Sequence, residues 1–424
     1  MGKITDQAEM PSTWNTVTTK RRMNVGQQPE LGIGIIGAGF IAETRARCYR
    51  RVAGVYCRLA AVADTVAERA ETYARRHGVE KWTTDYREVL EDPSILLVDL
   101  CVPNFLHRPM AESAAAAGKH IVCTKPLTAY VGQDLPEGAE ELTVGIQDRA
   151  KMLEIAVADA EAMAAAAGRA NVKLMYAENW VHAPAVRKVE ELLARANGTV
   201  VEMRGGEAHS GSHSPFSKQW RHAGGGALIR LGAHPIGAML YLKRQEGLRR
   251  TGRPVRPVSV VSEVGDLSAI GSVQGEAKVW IARGWVDVEN WGTAVITFDD
   301  GSRGIAWGSD AVLGGMESRL DILSSNAHFK CNLSPNNLLQ AYSPAPEVFG
   351  EAYLQEKLET PAGWTTPMPD EDWTSGHAGM IQTFVDAVVR ERPFLSDVQL
   401  GRDVVAVVYS AYLSASEGRR VSVP

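Results

Sequence analysis

The stretch Leu31–Ala42, LGIGIIGAGFIA, constrains the fold of this chain more than any other. An apolar run leads straight into Gly37-Ala38-Gly39-Phe40-Ile41-Ala42, a G-x-G-x-x-A pattern. It reads as a buried strand, a tight turn and the start of a helix. Gly37 permits the turn, Gly39 lets backbone amides approach a pyrophosphate, and Ala42 lets the helix pack close to the strand. Phe40 and Ile41 begin that helix, whose N-terminus aims orphan N–H groups and partial positive charge at phosphate. A second apolar run, Leu59–Ala63, ends in Asp64, 22 residues beyond Ala42. A dinucleotide site needs a carboxylate about there for the ribose 2′-hydroxyl. That carboxylate repels a 2′-phosphate, and Thr65 stands where an NADP site often shows arginine. NAD is therefore expected over NADP, with Arg69 one turn on softening the preference.

From residue 31 to about 178, short apolar runs alternate with helical stretches. The strands are read as Gly32–Ile36, Leu59–Ala63, Leu96–Val102, His120–Cys123 and Val172–Ala177. This grammar predicts a doubly wound parallel sheet with right-handed crossovers. The stretch Val131–Gly145, rich in Gly, Asp and Glu, interrupts it as a surface insertion: a lid, a subunit contact or a tolerated loop. After Ala177 the grammar changes. Val258–Leu333 holds several β-rich runs, and Asp299-Asp300-Gly301-Ser302 is a strong hairpin signal. A second, α+β domain with a large, open, mostly antiparallel sheet is expected. Ala341–Asp370 is proline-rich and reads as loop, and helices near Ala378–Arg390 and Val404–Glu417 close the chain. The predicted organisation is an N-terminal arm or tail over 1–30, a nucleotide-binding domain over 31–178 and a substrate-binding and oligomerisation domain over 179–375. Helices over 376–424 are expected to pack back on the first domain.

At 424 residues two domains are the prior. A formal net charge of −5 without blocks of like charge argues against nucleic acid or a membrane surface as partner. No apolar run approaches the ~20 residues that span a bilayer. The first 30 residues lack the apolar core of a secretory signal. The five cysteines, Cys48, Cys57, Cys101, Cys123 and Cys331, are odd in number and mostly lie in apolar segments. They read as reduced thiols, which places the chain in the cytoplasm.

Two segments lie where open α/β sheets hold their ligands, at the carboxyl ends of strands. One is Val102-Pro103-Asn104-Phe105-Leu106-His107 and the other Cys123-Thr124-Lys125-Pro126-Leu127, where a cis Pro126 would fix the lysine backbone. With Gly224-Gly225-Gly226-Ala227, His234, Arg392-Pro393 and Asp397, they give residues 31–424 a resemblance to the glucose–fructose oxidoreductase / inositol dehydrogenase / rhizopine-catabolism (Gfo/Idh/MocA) family. The resemblance implies a Rossmann domain and a C-terminal domain with a large open sheet. It implies NAD-dependent interconversion of a secondary alcohol and a ketone on a sugar, glycoside or cyclitol. The family's Glu-Lys-Pro lysine carries to Lys125, with Thr124 in place of the glutamate, and its Asp-x-x-x-His histidine carries to His234. Arg230 stands where the family has aspartate, so an acid has become a permanent cation.

Lys125, His234 and Arg230 are thus the expected catalytic set. Burial, the nicotinamide charge and Arg230 all disfavour protonation of Lys125, leaving Lys125 or His234 as a neutral base. Arg230 either depresses that pKa or binds a substrate oxygen. Gly37, Gly39, Phe40, Ile41, Asp64, Pro103, Asn104, His107 and Lys125 are assigned to the cofactor. Glu178, Asn179, His182, Trp220, Arg221 and Arg230 are assigned to the substrate. A metal reading of Glu178, His182, His209 and His213 fits no ligand spacing, so no metal is expected. His377 opens the penultimate helix in a capping, structural or catalytic role. The alternatives kept open are a dehydrogenase or reductase of a non-sugar cyclic alcohol and a non-catalytic NAD-bound regulator. A homodimer or homotetramer is expected, because a sheet covered on one side leaves an apolar face.

Overall fold

The computed structural model describes residues 28–212, 215–334, 339–358 and 360–424. Nearly all of the 1–30 segment, and His213, lie outside the described residues. The first sheet has six parallel strands: β1 (Glu30–Ile36), β2 (Tyr56–Ala63), β3 (Lys81–Thr83), β4 (Leu97–Leu100), β5 (His120–Thr124) and β6 (Leu174–Ala177). Their order is β3-β2-β1-β4-β5-β6. β1 reads as a continuous apolar run because both its faces are covered. The sequence reading missed β3, a three-residue edge strand whose Lys-Trp-Thr carries no apolar run.

The second sheet contains β7 (Val200–Ala208), β8 (Pro257–Gly265), β9 (Trp291–Phe298), β10 (Arg303–Ser309), β11 (Glu317–Ser324) and β12 (His328–Ser334). Within the segment expected as loop, β13 (Ala341–Ser343) pairs with β14 (Gly363–Thr365). β15 (Val421–Ser422) completes the second sheet, in the order β12-β11-β7-β10-β9-β8-β15. β7 and β10 run parallel; every other neighbouring pair is antiparallel. The β9–β10 hairpin turns at Gly301, whose φ of +85° suits the glycine.

One face of this sheet packs on helix 233–251 and helix 398–417, and the latter also packs on helix 149–169 of the nucleotide-binding half. Leu100 and Ile121 of the first sheet and Met203 and Ala306 of the second therefore share one apolar core. The opposite face carries Val201, Val258 and Val261, all exposed, with Ile305 and Trp307 half-buried between them. The Trp307 ring lies so close over Gly206 that a Cβ there would meet it at 1.9 Å.

The 131–145 insertion docks on its own chain. Val144 is fully buried, Arg221 donates to the Ala139 carbonyl at 2.9 Å, and Trp220 Nε1 donates to the Tyr130 carbonyl at 3.1 Å. Among the described residues no helix is long and apolar enough to cross a membrane.

Candidate active site

At the carboxyl ends of the first sheet's strands a cleft of about 1020 Å3 runs from the glycine turn to the second sheet. Gly37 has φ +94°, and a Cβ on it would lie 2.4 Å from the Cys101 carbonyl oxygen, so only glycine lets β1 and β4 approach here. Gly39 faces open space and no side chain caps helix 40–50 at it, which gives an anion access to the helix N-terminus. Asp64, at the tip of β2, accepts from Ala38 N at 3.0 Å and Val66 N at 2.9 Å and pairs with Arg69 at 2.8 Å. These residues fit a dinucleotide: Gly39, Phe40 and Ile41 for the pyrophosphate, and Asp64 for the adenosine ribose. Pro103, Asn104 and Lys125 line the inner stretch. Asn104 also ties the halves together, donating to the Ala223 carbonyl at 2.5 Å.

Lys125 follows β5 before a cis peptide bond to Pro126. Its ammonium donates to the carbonyl of Arg230, in the single wide π-turn Leu228–Gly232 that precedes helix 233–251. Burial holds the ammonium below its ordinary range, with Glu207 and Glu178 opposing and Arg230 adding to the depression. His234, on the next turn, stacks on Trp180 with ring centroids 5.9 Å apart. Its Nδ1 lies 2.7 Å from Glu178 Oε1, which also accepts from Trp180 N at 3.1 Å. Its Nε2 lies 3.8 Å from Glu207 Oε1. Burial pushes Glu178 up to about 8, and burial together with Lys125 pushes His234 down to about 3. Low polarisability around both partners disfavours a separated charge, so the dyad holds its proton as a neutral unit at neutral pH.

Arg230 lines the cleft and pairs with Asp310, whose side chain is wholly buried. Its guanidinium lies 5.5 Å from the centre of the Trp285 ring. The acid absent from position 230 is thus supplied from the loop after β10, and the arginine's charge is largely answered before any substrate arrives. His209 lies 3.8 Å from the same carboxylate.

The cleft brings together Lys125, His234, Arg230 and Asn179 with Gly37, Gly39, Phe40, Ile41, Asp64, Pro103 and Asn104. It corrects five other assignments. His107 is fully buried, with Nε2 3.0 Å from the Val102 carbonyl and Nδ1 3.0 Å from the Pro126 carbonyl. It staples two crevice loops from behind instead of meeting cofactor. His182 turns inward to Ser396 Oγ at 3.0 Å and packs edge-on to Phe384. Trp220 is buried under the Arg149 guanidinium, at 4.2 Å from its ring centre, and Arg221 holds the insertion. Glu178 stands one layer back, reaching the cleft only through His234. The metal candidates likewise part company: Glu178 serves His234, His182 serves Ser396, and His209 faces Asp310. Among the described residues no cluster of His, Cys, Asp or Glu is arranged to hold a metal ion.

Sequence reasoning passed over Glu207, Asp310, Glu356 and Lys357. Glu207 is a buried carboxylate near the end of β7, raised by burial and answered by His234 and Lys125. Glu356 and Lys357 come from the segment between β13 and β14, where Lys357 sits at φ +61° and donates to the Gly211 carbonyl at 2.9 Å.

This geometry agrees with the comparisons. The model of an oxidoreductase family with an NAD-binding Rossmann fold matches residues 31–156, and the GFO/IDH/MocA C-terminal domain model matches residues 186–330. Levoglucosan dehydrogenase of Pseudarthrobacter phenanthrenivorans is 30% identical over 290 residues, covering 65% of this chain and 66% of that one. Trans-1,2-dihydrobenzene-1,2-diol dehydrogenase of Mus musculus is 27% identical over 206 residues, covering 48% and 53%. The chain thus spans less than two thirds of the length of either curated relative. The crystal structure of GenD2 from gentamicin A biosynthesis, in complex with NAD, superposes with a TM-score of 0.75 at 25% identity, covering 98% of this chain and all of that one. The two family models together span more than half of the sequence, and the chain belongs to the Gfo/Idh/MocA family of NAD-binding oxidoreductases.

Proposed function

We propose that this protein is an NAD-dependent dehydrogenase that interconverts a secondary alcohol and a ketone on a sugar, glycoside or cyclitol. One observation carries the reading. Lys125 and His234, the latter backed by Glu178, face one cleft that also contains the glycine turn and Asp64. NAD, when bound, supplies the hydride acceptor. The chain's own groups do the rest. A substrate hydroxyl in this cleft meets the Lys125 nitrogen, held below its ordinary range by burial, as the group to take its proton, with the His234 imidazole beside it. The Arg230 carbonyl accepts the Lys125 N–H and fixes the direction of the nitrogen lone pair. Glu178 orients the imidazole through Nδ1 and stabilises it if it becomes cationic. Trp180 backs the ring and excludes water from that side.

The relatives' printed substrates, levoglucosan and an inositol among them, support a polyhydroxylated ring as substrate. Arg230, held from behind by buried Asp310, adds a fixed donor suited to a ring hydroxyl. The presence of Lys125 and His234 favours an enzyme over a non-catalytic regulator. The exposed valines and Trp307 on the second sheet support a homodimer or homotetramer formed through that face. Five free cysteines support a cytoplasmic setting.

The test is the purified chain with NAD on a panel of anhydro-sugars, glycosides, cyclitols and cyclic dihydrodiols. NADH formation on a sugar or cyclitol, with Lys125→Met at least about 1000-fold slower in kcat, is the expected result. Turnover confined to the dihydrodiols moves the substrate class. Retained NAD(H) with no turnover on any member overturns the reading in favour of a regulator.

A further inference from the structure

His377 lies at the start of helix 377–390 and lines the cleft with Lys125 and His234, yet none of the steps above uses it. We propose that His377 touches the substrate, donating from Nε2 to a hydroxyl oxygen of the polyhydroxylated ring, and that buried Arg45 is the positioning residue that fixes this donor. The proposal rests on the dehydrogenase reading.

The argument begins with the tautomer. Arg45 Nη1 lies 3.4 Å from His377 Nδ1. A guanidinium has five donors, no acceptor and no accessible neutral form. Nδ1 must therefore accept, and the one proton of the neutral ring belongs to Nε2. Arg45 is itself fully buried, and Asp99 holds it in the core of the first sheet at 3.4 Å. Asp99 is fixed in turn by the Tyr49 hydroxyl at 2.9 Å and the Cys101 thiol at 3.4 Å. A charge placed at this depth stays only where its partners hold it, so Arg45 has little freedom to release the ring. Burial, then Arg45, then His234 and Lys125 all disfavour an imidazolium here, which keeps the ring neutral.

The backbone under His377 is equally constrained. Gly376 has φ +96°, and a Cβ on it would lie 2.1 Å from the Asn179 carbonyl oxygen and 2.6 Å from Ala183 N. The Asn179 amide donates to the Ser375 carbonyl at 2.7 Å. The loop after β6 and the residues preceding the helix are therefore wedged together, and the imidazole enters the cleft from a fixed base.

The chemistry identifies what such a donor is for. The Lys125 nitrogen and the Glu207 carboxyl line the same cleft as His377 and can each accept from a ring hydroxyl. A hydroxyl both donates and accepts. A fixed neutral donor completes its hydrogen bonding and discriminates against the analogue that lacks it.

Two measurements test this on the full chain. Multiple-bond 1H–15N spectra of histidine-labelled protein, with the ring assigned by its loss in His377→Gln, should show the Nε2–H form. In Arg45→Met/Asp99→Asn, which removes both buried charges together and strands neither, the ring should become a mixture of tautomers. An Nδ1–H ring in the wild type overturns the proposal. In steady-state assays His377→Phe should raise KM for the sugar or cyclitol about 10- to 100-fold, with NADH affinity by fluorescence titration unchanged. His377→Gln, whose amide N–H falls near Nε2, should recover KM to within about threefold. Equal KM in all three proteins, or a loss of NADH affinity that matches the loss in KM, overturns the assignment. Failure of the underlying reading looks different, because then the wild type itself turns over no member of the panel.

Discussion

Replacing Glu178 by glutamine keeps the shape and removes a carboxyl that becomes anionic near pH 8. The amide oxygen still accepts from Trp180 N and His234 Nδ1, so the imidazole stays in place. What disappears, at pH above about 8, is the negative charge 2.7 Å from Nδ1 that supports a cationic ring. With the charge centres about 4 Å apart and an effective dielectric near 20, that attraction is about 4 kcal/mol. A proton half transferred in the transition state feels about half of it, or ~2 kcal/mol, which is about 30-fold in kcat. The pH dependence gives a second reading. Burial raises Glu178 to about 8, so the dyad loses its proton near that pH and His234 then gains an anionic support. The wild type should therefore show a rise in kcat through about pH 8 that Glu178→Gln lacks, followed by NADH absorbance across the alkaline range with the purified enzyme and its best panel substrate. A variant within about threefold of wild type and with the same rise would refute the dyad's role.

The same carboxyl has a consequence for stability, with a definite sign. Its folded pKa is raised from 4.5 to about 8, so the folded state holds a proton that the unfolded chain has lost between those values. Its contribution to stability falls as pH climbs through that window, and denaturant melts of Glu178→Gln should show a flatter pH profile there; identical profiles would count against the burial argument. Asp64→Ala should weaken NAD binding about 10- to 100-fold and free Arg69 for a 2′-phosphate, raising the NADPH-to-NADH affinity ratio in fluorescence titrations; an unchanged ratio would sink the assignment. Gly37→Val forces a β-branched side chain to φ +94° against the Cys101 carbonyl, and calorimetry should show a Tm loss of about 6–12 °C, from about 3 kcal/mol, or no folded protein at all; an unshifted Tm would refute the close approach. Trp307→Glu places a carboxylate on the outer sheet face and should give a monomer by light scattering; an unchanged mass would exclude that face as the subunit contact.

The cofactor half was readable because its signals are local. The glycine turn, Asp64 and Lys125 each sit at a strand tip, and a strand tip in a parallel sheet already faces the crevice. The hairpin at Gly301 and the closing helices were legible for the same reason. Direction was not legible. His107 and His182 lie within a few residues of the crevice in sequence, but one turns toward the Val102 and Pro126 carbonyls and the other toward Ser396, 214 residues away. Arg230 looked like a lone cation because its partner Asp310 is 80 residues downstream, in a loop with no motif. Glu356 and Lys357 were hidden in a segment whose prolines signal irregular backbone without saying which wall it builds.

Helix 398–417 lies on helix 149–169 and on β8 at once, and the insertion grips Trp220 and Arg221 from the other flank. Bracing on two sides opposes a swing of one half over the other. The spacing between the glycine turn and His234 is set when the chain folds. Two ligands held in one cleft of fixed width couple most directly by touching each other.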